Sequence, residues 1–216
     1  LERKKIFLVR HGQTDNNLKK ILQGGKVDLG INETGKKQSE AFFNVYKDVP
    51  FKKIYLSKLR RTKESMQAFL DLGIPFEEDE LLNEISYGIY DGNVSSEGEN
   101  GFYCGVLKEW ENGNLSEKLE GGESPLDVQN RIKIFLNNLL SKPDEDLILI
   151  CMHGRAMRIF LATVLNYDLS YMEMFKHSNL GLYLLNYTSG TFTIEKFNDC
   201  SHLSNLHLHK TDLMNP

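Results

Sequence analysis

The sequence predicts an α/β fold around a mostly parallel sheet, and three observations carry that prediction. Short apolar runs at residues 6–9 and 147–152 read as strands buried on both faces, with a further strand at 53–56. Amphipathic stretches of helical period lie between the strands, and this alternation is the signature of a parallel sheet with crossover helices. Two strands end in the same dipeptide, at His11-Gly12 and His153-Gly154. In open α/β sheets, chemistry collects at that end of the strands.

A chain of 216 residues suits a single domain, residues 1–216, with one core and a small inserted lobe. The formal net charge of -4 argues against a globally basic surface for nucleic acid or anionic membrane, but leaves room for a local basic cleft. No apolar stretch approaches the roughly 20 residues of a membrane span. Cys104, Cys151 and Cys200 are scattered and odd in number, which fits a reducing, cytoplasmic setting better than a disulfide framework or a zinc site. Residues 1–5 lead straight into a strand-length run, so no secretory leader is expected. Monomer and dimer are both compatible with this composition.

The first strand stops at Arg10-His11-Gly12, where Gly12 permits a sharp turn and close approach of a ligand. Residues 12–33 form a long polar loop, usually a functional feature, and carry Thr14, Asn17, Gln23, Gly24 and Asp28. A helix over 34–46 follows, with Ala41, Phe42 and Val45 on its buried face. The strand at 53–56 ends at Ser57, the expected N-cap of a helix to about residue 70. Arg60 and Arg61 open that helix, where cations oppose the helix dipole unless an anion binds there; the competing reading has both facing water.

A short strand at 74–77 precedes Glu84, Gly88 and Asp91-Gly92. Glu84 stands among apolar residues, where a carboxyl tends towards a raised pKa; an ordinary solvated glutamate is the alternative. Residues 93–122 turn polar around one aromatic helix near 102–110 and read as a lobe inserted over the active face. Ser124, Pro125 and Asp127 supply the N-cap, first-turn proline and capping-box acid of a helix to Leu140. That helix buries Val128, Ile132, Phe135, Leu136 and Leu139. After the strand at 146–152 comes a helix to Leu165, buried on most sides, with Arg155 and Arg158 one turn apart. Met and Phe residues through 172–175 read as packing. Strands at 181–187 and 191–197 form a hairpin about a Thr-Ser-Gly turn. His202, His207 and His209 in the tail are too few for a metal site, so neither metal nor cofactor is expected.

The chemistry these residues point to is that of phosphate. Arg10 offers a planar fork of donors that matches phosphate oxygens. His11 is nucleophilic and can be neutral near pH 7. In a parallel sheet the strand ends share one edge, so His11, His153, the arginines and Glu84 can converge on one pocket.

The chain resembles the histidine phosphatase superfamily, which includes cofactor-dependent phosphoglycerate mutases and fructose-2,6-bisphosphatases. The resemblance lies in Arg10-His11-Gly12-x-Thr14, Asn17, Gln23-Gly24-x-x-x-Asp28, Ser57-x-Leu59-x-Arg61, Leu82-x-Glu84, Gly121-Gly122-Glu123-Ser124 and His153-Gly154 with Arg158, in that order. It implies a three-layer α/β/α fold of the phosphoglycerate mutase type. It also implies that His11 becomes phosphorylated, that Arg10, Arg61 and His153 hold the phosphoryl oxygens, and that Glu84 is the general acid and base. Thr14, Asn17, Gln23, Gly24, Gly154 and Arg155 are expected around the substrate, a small phosphorylated molecule, and no metal is needed.

The family divides by what accepts the phosphoryl group. Between Glu84 and Gly121 the chain holds Lys108 and Lys118 but no arginine, and the segment is net acidic. That favours hydrolysis over a phosphoglycerate mutase, whose relatives carry a longer, more basic segment there. Arg155, where many relatives carry a small or apolar residue, or Arg158 beyond it, is expected to bind a second anionic group, which favours a bisphosphate or a phosphorylated acid as substrate; a surface arginine on the helix is the alternative. A non-catalytic phospho-ligand binder is disfavoured because nucleophile and acid are both present.

Overall fold

The computed structural model describes residues 2–93 and 101–206, without the side chain of Phe102. His207 and His209, and residues 94–100 of the expected lobe, lie outside the described residues. The strands are β1 (Arg3–Arg10), β2 (Lys53–Leu56), β3 (Phe76–Glu78), β4 (Leu147–Met152), β5 (Leu182–Thr188) and β6 (Thr191–Asp199). The helices are α1 (Asp15–Leu18), α2 (Glu33–Tyr46), α3 (Arg60–Asp71), α4 (Phe102–Glu111), α5 (Pro125–Leu140) and α6 (Gly154–Val164).

The strands form one sheet in the order β3-β2-β4-β1-β5-β6. The first four in that order run parallel, and the β5–β6 hairpin adds an antiparallel edge beside β1. Alternation along the central strands divides the core in two. Ile6, Leu8, Ile148 and Ile150 face α5 and α6, while Phe7, Val9, Leu149 and Cys151 face α2 and α3. Helices therefore cover both faces, which explains why residues 6–9 of β1 and all of β4 are apolar rather than alternating.

The register of β1 on β4 positions the site. Arg10 pairs with Met152, and the His11 N–H donates to the Met152 carbonyl at 3.0 Å. The residues that follow, His11 and His153, thus leave the sheet side by side.

The α5 start is as expected: Ser124 and Asp127 form a reciprocal capping box around Pro125, and all five expected apolar residues are buried. Four expectations are corrected. The buried face of α2 is Gly35, Gln38 and Phe42; Val45 is exposed, because Tyr46 packs on Phe7 and Phe42 at that end of the helix. Ser57 does not cap α3: Leu59 is the N-cap, and the Ser57 hydroxyl accepts the Leu59 N–H at 3.2 Å. β3 starts at Phe76 rather than residue 74, beyond Pro75, whose carbonyl accepts from Ile54 but which has no N–H to give a ladder. Gly12 is needed for close packing rather than a turn, because a Cβ there would meet the Gly35 carbonyl at 2.8 Å. Gly35 is tighter still: its Cβ would lie 2.3 Å from the Gln13 carbonyl.

This backbone crossing yields a prediction. Gly35→Ala would push against the Gln13 backbone and against Ile31 Cβ, none of it the far end of a flexible side chain, so it should lower the free energy of unfolding by about 1–3 kcal/mol, read from urea denaturation midpoints.

Candidate active site

His11 is buried, with Nδ1 2.7 Å from the Gly12 carbonyl. A carbonyl only accepts, so the proton sits on Nδ1 and Nε2 keeps its lone pair. Burial first, then the charges of Arg61 and Arg10, push its pKa well below the ordinary histidine value. The ring is therefore a neutral, oriented nucleophile.

The His153 ring lies 5.2 Å from that of His11, centroid to centroid, at 53°. Arg61 Nε donates to its Nδ1 at 3.0 Å, so the proton is on Nε2, which donates to Ser57 Oγ at 2.7 Å. Burial, then Arg61, holds this imidazole neutral too. Arg61 is buried among backbone carbonyls: Nη1 donates to Val27 at 2.6 Å and Nη2 to Gln23 at 3.3 Å. Burial lowers its pKa to about 10, which leaves it charged at neutral pH.

Arg10, likewise lowered to about 10 by burial, donates through Nη1 to His177 Nδ1 at 3.2 Å. Its Nε is buried and has no partner among the described residues, and neither has Gln23 Nε2. Both donors belong to residues in the wall of one cleft and lack an acceptor there. The Gln23 carbonyl oxygen accepts from Thr14 Oγ1 at 3.1 Å; Thr14 itself caps α1 and is buried behind the wall. Asn17 Oδ1 accepts from the Thr14 N–H at 3.2 Å and from Asn179 Nδ2 at 3.3 Å. Gly24 is where Asp91 comes close: a Cβ there would meet its carboxylate at 2.1 Å.

Glu84 is buried and caps α6 from outside that helix. Its Oε1 accepts the N–H groups of Ile85 at 2.9 Å and Ala156 at 2.8 Å, and Oε2 that of Arg155 at 3.0 Å. A carboxylate so placed meets the positive end of the helix, an interaction worth about 1–2 kcal/mol when partly buried. Glu84 also lines the cleft, which has an open mouth.

The structure thus gathers Arg10, His11, Asn17, Gln23, Glu84, Gly154 and Arg155 in the wall of one cleft. Arg61 and His153 stand behind His11 with their polar groups engaged. Arg155 spends its guanidinium on Tyr103, at 3.0 Å, and on Glu173. Arg60 points outward to Glu64, so of the two arginines opening α3 only Arg61 turns inward.

Sequence reasoning missed His177, Tyr103, Glu173 and the contact of Ser57 with His153. No local signal in the sequence marks His177. β5 runs antiparallel to β1, so the residues just before β5 lie where β1 ends, and His177 is in that polar run. Its pKa too is held well below normal, by burial and then by Arg10.

Residues 6–200 match the histidine phosphatase superfamily (branch 1). The chain belongs to this superfamily. A probable phosphatase of Schizosaccharomyces pombe is 37% identical to it over 90 residues, 41% of this chain and 43% of that protein. The chain therefore spans less than half the length of that relative. A probable phosphoglycerate mutase, GpmB, of Erwinia tasmaniensis is 24% identical over 208 residues, 92% of this chain and 94% of that one. Among solved structures, a putative alpha-ribazole-5'-P phosphatase from Escherichia coli shares the fold with a TM-score of 0.81 at 18% identity, covering 91% of this chain and 96% of the other. Among the described residues, no group of His, Cys, Asp or Glu could hold a metal ion, and no helix is long and apolar enough to cross a membrane.

The buried imidazoles make stability pH-dependent. As pH falls through about 6.5, the unfolded chain protonates His11, His153 and His177 while the folded protein leaves them neutral. Folding stability should therefore drop towards acid, by up to about 4 kcal/mol per pH unit if all three contribute fully. Urea denaturation between pH 7.5 and pH 5.5 checks this, and a flat profile would contradict the neutral assignment.

Proposed function

We propose that the protein is a phosphomonoester hydrolase that works through a phosphohistidine on His11. The observation that carries this reading is the His11 tautomer: Nδ1–H is tied to the Gly12 carbonyl, which leaves Nε2 as a lone pair beside Arg10. Nε2 attacks phosphorus, the N–P bond forms, and the bond from phosphorus to the ester oxygen breaks. Arg10 meets the phosphoryl oxygens through Nε, and Gln23 through its unpartnered amide. His153 faces the reacting imidazole at 5.2 Å, ring centre to ring centre, and Arg61 donates to it; a phosphoryl dianion there supplies the acceptor that Arg61 Nε otherwise finds in His153. Thr14 and Asn17 hold the loop that presents Gln23. Gly154 leaves room for His177 beside Arg10, where a Cβ would meet its ring at 2.7 Å.

Glu84 passes a proton to the leaving alkoxide, then takes one from the water that attacks the phosphohistidine and releases phosphate. Its Oε2, which accepts one bond against two at Oε1, is the oxygen free for that proton. Hydrolysis rather than mutase chemistry is supported by the arginine-free, net acidic segment after Glu84 and by a cleft that opens to solvent. Within a single domain, the described residues 101–122 of the expected lobe act beside the cleft, a reading supported by Tyr103 of α4 in its wall. Three free cysteines fit a cytoplasmic setting.

Turnover of an aryl phosphate tests the reading. Quenching with a phosphorus-labelled substrate should trap an acid-labile, base-stable label on His11. His11→Ala should abolish both label and turnover, and Glu84→Gln should slow turnover by about 10²–10⁴-fold. Turnover without a label on His11 would overturn it, and net conversion of 3-phosphoglycerate to its isomer would move the assignment to a mutase.

A further inference from the structure

One wall of the cleft is made by Arg155 and Arg158 of α6, whose side chains are 3% and 4% exposed. Two buried guanidiniums one turn apart repel each other, and burial opposes both charges. Burial, then the charge of Arg155, takes Arg158 down to about 9. Such a pair calls for an anion, and in a cleft that binds phosphate esters a ligand could bring one.

The chain brings its own. Glu173 sets Oε1 against Arg155 Nη1 and Oε2 against Arg158 Nη1, one carboxylate bridging both cations. It stands on the 3-10 turn Leu169–Met174, pinned by the buried side chains of Leu169 and Met172 and followed by buried Phe175. The anchors on either side of it fix its position. Arg155 is further committed through Nη2 to the Tyr103 hydroxyl at 3.0 Å, and its guanidinium lies over the Trp110 ring at 5.6 Å. Arg155 Nη2 and the Nη1 groups of both arginines are thus engaged from behind the wall, while Arg158 Nε is buried with no hydrogen-bond partner among the described residues.

We propose that Glu173 is a specificity-determining residue: from behind the cleft wall its carboxylate engages the two guanidiniums that a second anionic group of a ligand would otherwise meet. The enzyme therefore favours phosphomonoesters whose remainder is uncharged over those carrying a carboxylate or a second phosphate. This rests on the phosphatase reading above and adds a substrate class to it. On this reading the second anion expected at Arg155 or Arg158 is a group of the chain itself rather than part of the substrate.

The test is competition against turnover of p-nitrophenyl phosphate by two ligands of one skeleton, glycerol 3-phosphate and 3-phosphoglycerate. They differ in a hydroxymethyl against a carboxylate, and competition reads binding whether or not either is hydrolysed. In the wild-type protein glycerol 3-phosphate should bind more tightly by about tenfold, the scale on which like charges brought together discriminate. Glu173→Gln, which keeps the shape and removes the charge, should erase or invert that ratio, while Glu173→Asp should keep its direction. Equal ratios in wild type and Glu173→Gln, or a wild-type preference for 3-phosphoglycerate, would overturn the proposal. If Glu173→Gln does not fold, the wild-type ratio decides alone. Absence of p-nitrophenyl phosphate turnover is a failure of the phosphatase reading and is seen before any ratio is measured.

Discussion

The parallel pairing of β1 with β4 is the constraint on which the rest of this molecule depends. The two strands sit at the centre of the sheet, apolar on both faces, and their register sets Arg10 opposite Met152. A slip of one residue would turn every side chain of one strand to the other face and into the wrong half of the core. Packing of the two cores therefore enforces the register, and the register delivers two imidazoles to within 5.2 Å of each other. The hydrophobic core and the chemistry are two consequences of one alignment.

Around that pair, burial and charge act in the same direction. Removing an imidazole from water disfavours its cation, and a nearby guanidinium disfavours it further. Both effects reach His11, His153 and His177. Arg61 is held by backbone carbonyls and by His153, and Glu173 faces both Arg155 and Arg158, while Arg10 Nε and Arg158 Nε have no hydrogen-bond partner among the described residues. The result is fixed positive charge beside a neutral ring with a free lone pair. That combination suits attack on a phosphate dianion, which a protonated histidine could not perform.

Much of this was legible in the chain, for reasons tied to particular residues. Strands that end in His-Gly announce themselves because a buried strand is a continuous apolar run and its end is abrupt. Arg61 could be separated from Arg60 only through family resemblance; its physical cause is that Asp28 binds the Arg60 backbone N–H and sets the first turn of α3, so that Arg60 faces Glu64. Glu173 stands among Met and Phe residues that read as packing; its contacts with Arg155 and Arg158 come from where the turn lands on α6, a tertiary fact. His177 was hidden because its importance follows from the antiparallel direction of β5. Ser57 looked like a cap because serine after a strand often is one, yet its hydroxyl faces His153.

The protonation state of His11 is the quantity everything above converges on. Nitrogen-15 NMR of protein labelled at histidine, with His11 assigned by comparison with His11→Ala, reads it directly. The geometry predicts a neutral imidazole protonated at Nδ1 at pH 7 and still neutral at pH 6, below the ordinary histidine pKa of about 6.5. An imidazolium at pH 7, or a proton found on Nε2, would contradict the assignment of His11 as a poised nucleophile.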